Sequence, residues 1–452
     1  MTKQSEQQPA AVPDRARRDG EARSRWDWVE RSVWTPRMLE ALENGVKGGR
    51  WYSLIDKVAH EANVRAAWNQ VRANDGASGV DHVSIKEFER GLDENIESVV
   101  KELRSDSYAP QAIRRVFIPK PGRPGEQRPL GIPTVRDRVV QTAVRNVLEP
   151  IFEIGFAEHS YGFRPERGAK DALRRVRQGI ERGLFHVVDA DFKSYFDTIP
   201  HERLMQQLSL KVSDGKVLAL IDGWLHQQVM EAAGAWTPTK GSPQGAVISP
   251  LLANVYLDEL DHRVADAGFE MVRYADDFVI LCASRQEAER ALLMVTQWTA
   301  EAGLTLHPEK TRLVDLSAGE TFDFLGYEFH HDRQWMSRRS VKRFRDRLRE
   351  LTPRLSGDSM KRMIGTLNRT LQGWYQYFRH VNAWMLNRLD GWVRTRLRRV
   401  LWRYRGGKGY LPPICNSNWP NAYFAQLGLF SLYAAQRAET AQRWLPLQPA
   451  RR

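Results

Sequence analysis

The chain reads as an α+β protein, on three observations. Short runs of β-branched and aromatic residues bounded by Gly, Pro and Asp recur between positions 114 and 330. Amphipathic helical stripes alternate with them, giving the order β, α, α, β, α, β, α, β. From residue 341 onward the pattern turns helical throughout.

A chain of 452 residues is long enough for two to four domains with a large core, and its 42% hydrophobic content suits a globular protein. It contains no apolar run of about 18 residues, and residues 1–25 are polar and charged, so neither a membrane span nor a secretory signal is expected. A cytoplasmic protein without membrane partners follows. Two cysteines, Cys282 and Cys415, exclude a disulfide framework and a four-cysteine zinc module; Cys282 reads as core. The net charge is +13 and the pI about 9.7. Between residues 331 and 410 stand 21 Lys and Arg against 5 Asp and Glu, a local +16, so the rest of the chain is slightly acidic. Such a concentration of positive charge points to a nucleic acid.

In chain order, residues 1–25 lack the apolar content to fold and read as a flexible tail, with order beginning near Trp26. Leu54, Ile55, Val58, Ala62, Ala66 and Val71 keep a helical period over 51–71, and Asn74-Asp-Gly-Ala-Ser-Gly79 breaks it. Residues 114–133 form a hairpin whose Pro- and Gly-rich tip carries Lys120, Arg123 and Arg128. Those cations suit either a solvated loop or a held triphosphate. Helices are expected over 137–152 and 169–180.

His186-Val-Val-Asp-Ala-Asp-Phe192 is a strand whose alternation sets Asp189 and Asp191 on one face and Val188 and Ala190 on the other. Asp189 is either solvated or paired. The loop 239–250 leads into a helix over 251–260 with Ser249 as its cap and Pro250 at an early position; Gly241 and Gly245 permit close backbone approach. Met271 to Cys282 is a second hairpin with Asp276 and Asp277 at an exposed turn. Adjacent carboxylates repel, and a divalent cation relieves that repulsion, although an acidic turn with no ion has the same sequence. A helix over 285–302 ends at Gly303, and 321–330 is a third hairpin. Ile364, Leu367, Leu371, Trp374 and Phe378 make one helical core stripe, and Leu386, Leu389, Val393, Leu397, Val400 and Tyr404 a second. Arginines flank the second stripe, Arg394, Arg398 and Arg405 along one side and Arg388, Arg396, Arg399 and Arg403 along the other. Gly406-Gly-Lys-Gly409 ends the helix, and 410–452 is a small basic, aromatic appendage.

Several of these motifs resemble, in order, the sequence blocks of bacterial group II intron-encoded reverse transcriptases. They are Ile118-Pro-Lys120, Arg128-Pro-Leu-Gly-Ile-Pro133, Ser160-Tyr-Gly-Phe-Arg-Pro165, Asp191-Phe-Lys-Ser-Tyr-Phe-Asp197, Ser242-Pro-Gln-Gly245 with Ser249-Pro-Leu-Leu-Ala-Asn254, Tyr274-Ala-Asp-Asp277 and Phe324-Leu-Gly326. Seven weak blocks in order leave little room for chance.

The resemblance implies a right-hand polymerase: a helical N-terminal extension (26–79), fingers (80–185), a palm (186–330), a helical thumb or maturase X domain (331–409) and a small DNA-binding region (410–452). It implies two Mg²⁺ ions, with Mn²⁺ as a substitute, held by Asp191, Asp276 and Asp277; Phe196, five positions after Asp191, favours that acid over Asp189. It further implies that Lys120, Arg128, Phe192, Phe196, Gln244 and Lys310 bind the incoming nucleotide, and that Phe324, Leu325, Gly326 and Tyr327 grip the primer. Arg338, Arg339, Lys342, Arg388, Arg394, Arg398 and Arg405 are the expected RNA contacts. Gly373-Trp-Tyr-Gln-Tyr-Phe-Arg-His380 resembles the most recognisable stretch of the X domain. The expected partners are group II intron RNA, template RNA with a DNA primer, target DNA and dNTPs. The zinc-dependent endonuclease of many relatives has no counterpart after Cys415, as in the class C lineage. Two other roles fit the same motifs: a domesticated reverse transcriptase for defence, repair or CRISPR spacer acquisition, and an RNA-binding maturase with a vestigial polymerase.

Overall fold

A computed structural model describes residues 26–46, 48–119, 125–231, 234–353 and 357–443; the expected tail, Lys120, Arg123 and residues 444–452 lie outside these. The described residues up to Leu313 form one compact unit and those from Val314 a second.

The first unit opens with helices α1 (Pro36–Asn44), α2 (Ile55–Val58), α3 (Glu61–Asn74), α4 (Ile85–Arg90) and α5 (Leu92–Arg104). The helical period read over 51–71 is carried by two helices, α2 and α3, because His60 takes extended backbone at ψ 125° and starts a new helix. Strands β1 (Ile113–Pro119) and β2 (Gln127–Ile132) then form the expected hairpin, pairing Arg114 with Ile132 through Pro119 with Gln127. Helix α6 (Val135–Glu153), capped by the Thr134 hydroxyl, buries 15 of its 19 residues and is the axis of the core. The N-terminal helices lie on it through apolar packing and through Asn63, whose amide donates to the Ala143 carbonyl at 3.1 Å and accepts from Asn146 at 3.0 Å.

There follow α7 (Ala169–Glu181), β3 (His186–Asp191), α8 (Tyr195–Thr198), α9 (His201–Ser209), α10 (Gly215–Leu225), β4 (Val229–Glu231) and β5 (Gly234–Trp236). The unit continues with α11 (Ser249–Asp266), β6 (Glu270–Tyr274), β7 (Asp277–Cys282) and α12 (Arg285–Glu301) and ends within β8 (Arg312–Asp315). Two sheets result, ordered β2-β1-β4-β5 and β6-β7-β3-β8. Helices α9 and α10 and strands β4 and β5 have no counterpart in the sequence reading. Ser249 is also not the cap expected of it. Ile248 occupies that position, and the Ser249 hydroxyl instead donates to the Pro243 carbonyl at 2.9 Å, folding the preceding loop back on the helix.

In the second unit β9 (Phe322–Phe324), β10 (Tyr327–Phe329) and β11 (Gln334–Met336) form an antiparallel sheet, followed by α13 (Arg338–Leu351), α14 (Met360–Phe378), α15 (Ala383–Tyr404), α16 (Ile414–Asn418), α17 (Asn421–Gln426) and α18 (Leu432–Arg443). Both expected stripes are buried apart from two positions. Trp374 is half-buried and stacks on Phe378, and Tyr404, read as core, is 41% exposed because it sits on the last turn of α15. Residues 410–443 fold back on the bundle: Asp390 of α15 accepts backbone N–H groups of Leu432 and Tyr433 at 3.0 and 3.1 Å, capping α18. No described helix is long and apolar enough to cross a membrane.

Candidate polymerase site

Strand β3 pairs antiparallel with β7, setting Asp191 opposite Asp277, while β6 pairs with β7 up to Tyr274 opposite Asp277. Ala275 and Asp276 form the turn between them, and Ala275 holds φ +60°, a region that favours glycine. The three acids expected from the sequence thus meet at one end of one sheet. The turn is less exposed than expected, for Asp276 and Asp277 are both half-buried. Burial, and next the Asp191 carboxylate, raises the Asp276 pKa. The same two causes, joined by Asp189 and Asp276, push Asp277 well above the usual carboxylate range.

A strap brings in the compensating charge. Lys193 N–H donates to the Thr305 carbonyl and His307 N–H to the Asp191 carbonyl, both at 2.8 Å, which binds residues 305–307 to the end of β3. The next turn delivers the Lys310 ammonium to the Asp191 carboxylate. Asp189, left open between solvated and paired, pairs with Arg312 at 3.1 Å. Among the described residues no three acids, histidines or cysteines form a ready metal cage. Mg²⁺ does not need one, since it keeps several waters and takes one or two carboxylates plus substrate phosphates. An all-oxygen donor set in which burial, and after it the neighbouring carboxylates, has raised two pKa values fits such a hard divalent cation.

What holds the hairpin was invisible in the sequence. Arg273, fully buried on β6, donates to Asp261 at 2.7 Å, to Asn254 at 3.0 Å and to the Ala275 carbonyl at 2.8 Å. Asp261 is equally buried, and Asn254 donates onward to the Gly162 carbonyl at 2.8 Å. A charge inside an otherwise apolar strand was the available signal. Gly162 itself lies so close that a Cβ there would stand 2.2 Å from the Ala275 nitrogen.

A cleft at Phe196 and Asp197, which follow β3, is lined also by Arg115, Gly131, Trp236, Ser242 and Gln244. Gln244 accepts from Gly131 N–H at 2.7 Å through its carbonyl, and Ser242 N–H donates to the Phe196 carbonyl at 2.6 Å. Phe196 is half-buried and meets Phe163 and Tyr195 edge-on, so its ring is available to the cleft. Phe192 is not: 3% exposed and packed on Tyr195 and Phe278, its ring belongs to the core, because Ser194 at φ +51° turns the chain between the two phenylalanines. Arg128 is exposed on β2. Arg115 and Trp236 were missed, the second because three-residue strands leave no sequence pattern; the Arg115 guanidinium lies 5.4 Å from the Trp236 ring.

In the second unit the rings of Phe324 and Tyr327 are also buried, at 1% each, so of the expected primer-grip residues the turn pair Leu325 and Gly326 is what the surface presents. Arg338, Arg339, Lys342 and Arg405 are exposed, and Arg388 lies over the Trp384 ring at 4.6 Å. Arg398 corrects the reading of an open basic wall. It is 6% exposed, donates to the Trp419 carbonyl and Asn421 at 2.9 Å each, and lies over Phe424. Arg394, one turn earlier, is partly exposed.

Residues 118–329 match the family model described as reverse transcriptase (RNA-dependent DNA polymerase), and residues 341–411 the one described as group II intron, maturase-specific domain. Protein YkfC of Escherichia coli (strain K12) is 32% identical over 289 residues, spanning 55% of this chain and 74% of that protein. Group II intron-encoded protein LtrA of Lactococcus lactis subsp. cremoris is 40% identical over 172 residues, 38% of this chain and 28% of LtrA. A solved structure titled "Partial Cas6-RT-Cas1--Cas2 complex" covers 55% of this chain and 41% of its own at 26% identity, with a TM-score of 0.35, too low to carry an argument.

Proposed function

Because the chain belongs to the family of group II intron-encoded reverse transcriptases with a maturase domain, we propose that it binds a group II intron RNA, assists its splicing, and copies it into DNA from a primer in target DNA. The observation that carries the polymerase reading is the pairing of Asp191 with Asp277 beside Asp276, with Lys310 at Asp191.

Asp191, Asp276 and Asp277 are the proposed holders of two Mg²⁺ ions, with Mn²⁺ as substitute. The chemistry those ions would supply there is a lowered pKa for the primer 3′-hydroxyl and stabilisation of the departing pyrophosphate. The chain's own residues position the reactants. Phe196 offers a flat apolar floor to the sugar of an incoming dNTP. Gln244, tied to Gly131 through its backbone, holds the wall of the cleft. Arg128 and Lys310 supply positive charge for the triphosphate, Lys310 standing at the Asp191 carboxylate. Leu325 and Gly326 are the proposed contact to the primer end. We assign 80–185 to the fingers, 186–330 to the palm, 331–409 to the thumb and X domain, and 410–452 to DNA.

The intact trio and its lysine support an active polymerase over a vestigial one. Replacing Asp276 and Asp277 together by Ala is expected to reduce primer extension on an RNA template to background while intron RNA binding stays within about twofold, since phosphate contacts carry that binding. Extension that survives the double substitution would overturn the assignment of these acids.

A further inference from the structure

Helix α13 carries Arg338, Lys342, Arg345 and Arg349 at steps of 4, 3 and 4, which aligns them along one face. All four border a concavity of about 620 Å³ that Trp335 and His330 also line. Among the described residues Arg338, Lys342 and Arg345 have no carboxylate partner; Arg349 pairs with Asp346 on its own helix. The Nε of Arg345 and the indole Nε1 of Trp335 are buried without a hydrogen-bond partner. Against Trp335 stands Trp384, 51% exposed and edge-on to it at 5.8 Å, with the Arg388 guanidinium 4.6 Å from the Trp384 ring.

Two costs are left standing here. Three cations without carboxylate partners repel one another on one face, although Arg345 lies over the Trp392 ring at 5.8 Å and Glu328 also borders the concavity, and the Trp384 indole is left half exposed to water. A polyanion would relieve the first. A paired duplex would not relieve the second, because A-form RNA keeps its bases stacked inside and offers a protein phosphates and 2′-hydroxyls. A base extruded from the helix would relieve both, since bases without a neighbour stack on aromatic side chains while flanking phosphates meet Lys and Arg. Residues 341–411 match a maturase-specific domain of group II introns, which makes RNA the appropriate source.

We propose that Trp384 and Trp335, with Arg338, Lys342 and Arg345, form a subsite for one unpaired RNA nucleotide: the base lies on Trp384, the flanking phosphates on the α13 cations, and the Trp335 N–H donates to an oxygen or ring nitrogen within the concavity. The subsite rests on the reading of 331–409 as an RNA-binding region and adds to it a preference for extruded bases.

The test uses the full chain and RNA hairpins identical except at one bulged position, which holds adenosine, an abasic residue or nothing, with affinities measured over a range of KCl concentrations. The bulged adenosine is expected to bind about 5- to 150-fold more tightly than the abasic hairpin, the range for one base on an aromatic ring. Trp384→Ala should erase that preference and leave the salt dependence unchanged, whereas Trp384→Phe should retain most of it. Equal binding of adenosine and abasic hairpins by the native chain would overturn the subsite while a steep salt dependence kept the RNA-binding reading. So would a preference that survives Trp384→Ala. A flat salt dependence for every hairpin would overturn both, and a DNA hairpin with the same bulge bound as tightly as the RNA would overturn the assignment to RNA.

Discussion

Burial raises Glu149, on α6, from the ordinary glutamate range to about 7, against the opposing pull of Arg145 and with Glu153 adding to the rise. A carboxyl group whose folded pKa exceeds its unfolded value keeps its proton more firmly when folded. The stability this proton contributes is therefore full below about pH 4.5 and is lost as pH climbs through about 7. The side chain is 19% exposed, which moderates the effect. Glu149→Gln removes this penalty and should gain about 1–3 kcal/mol over the native chain at pH 8 but little at pH 4.5. Chemical denaturation at the two pH values checks this, and an equal gain at both would refute it. The same burial raises Asp276 and Asp277, each with Asp191 as its second cause.

Among the elements, the acidic hairpin, the β1–β2 hairpin and the long helices were legible because their signals are local: alternation, turn residues and a 3–4 period. Arg273 was not legible, because its partners Asp261 and Asn254 lie on a neighbouring helix and only the fold brings them together. The same reason separates Phe192 from Phe196. Both sit in one aromatic motif, and a left-handed turn at Ser194 decides which ring enters the core. The helices at 201–225 were missed, and with them the short strands that bring Trp236 to the cleft. The hairpin's bracing gives a test. Gly162→Ala forces its Cβ against Ala275, and backbone cannot yield as a flexible side chain would. Primer extension should fall by at least about tenfold, as misplacing reacting groups by roughly 1 Å can cost a hundredfold, while RNA affinity is unaffected. Native-level extension would show that the hairpin does not depend on this contact.

At the scale of the molecule, a net +16 between residues 331 and 410 within a chain of +13 predicts RNA binding that weakens steeply with salt. The structure sharpens which charges take part. Lys342→Ala, on the exposed face of α13, should reduce the log–log salt slope by about one. Arg398→Ala should leave that slope alone and instead lower the unfolding midpoint, because its two hydrogen bonds to residues 419 and 421 hold the C-terminal segment on α15 at a cost of about 1.5–3 kcal/mol if lost. Filter binding across a salt series, paired with thermal denaturation, separates the two. A changed slope for Arg398→Ala would restore the open wall that the sequence alone suggested. Charge counting locates a binding region, and burial decides which of its members are free to act.

The Lys310 strap also sets an order in time. Chains leave the ribosome N-terminus first, so Asp191, Asp276 and Asp277 are all synthesised before the lysine that neutralises Asp191, which follows that acid by 119 positions. A nascent chain halted just short of residue 310 already contains β3, β6 and β7 and with them the three acids, but not this counterion. The last small segment of the first unit therefore brings a counterion to a sheet end whose acids all precede it in the chain.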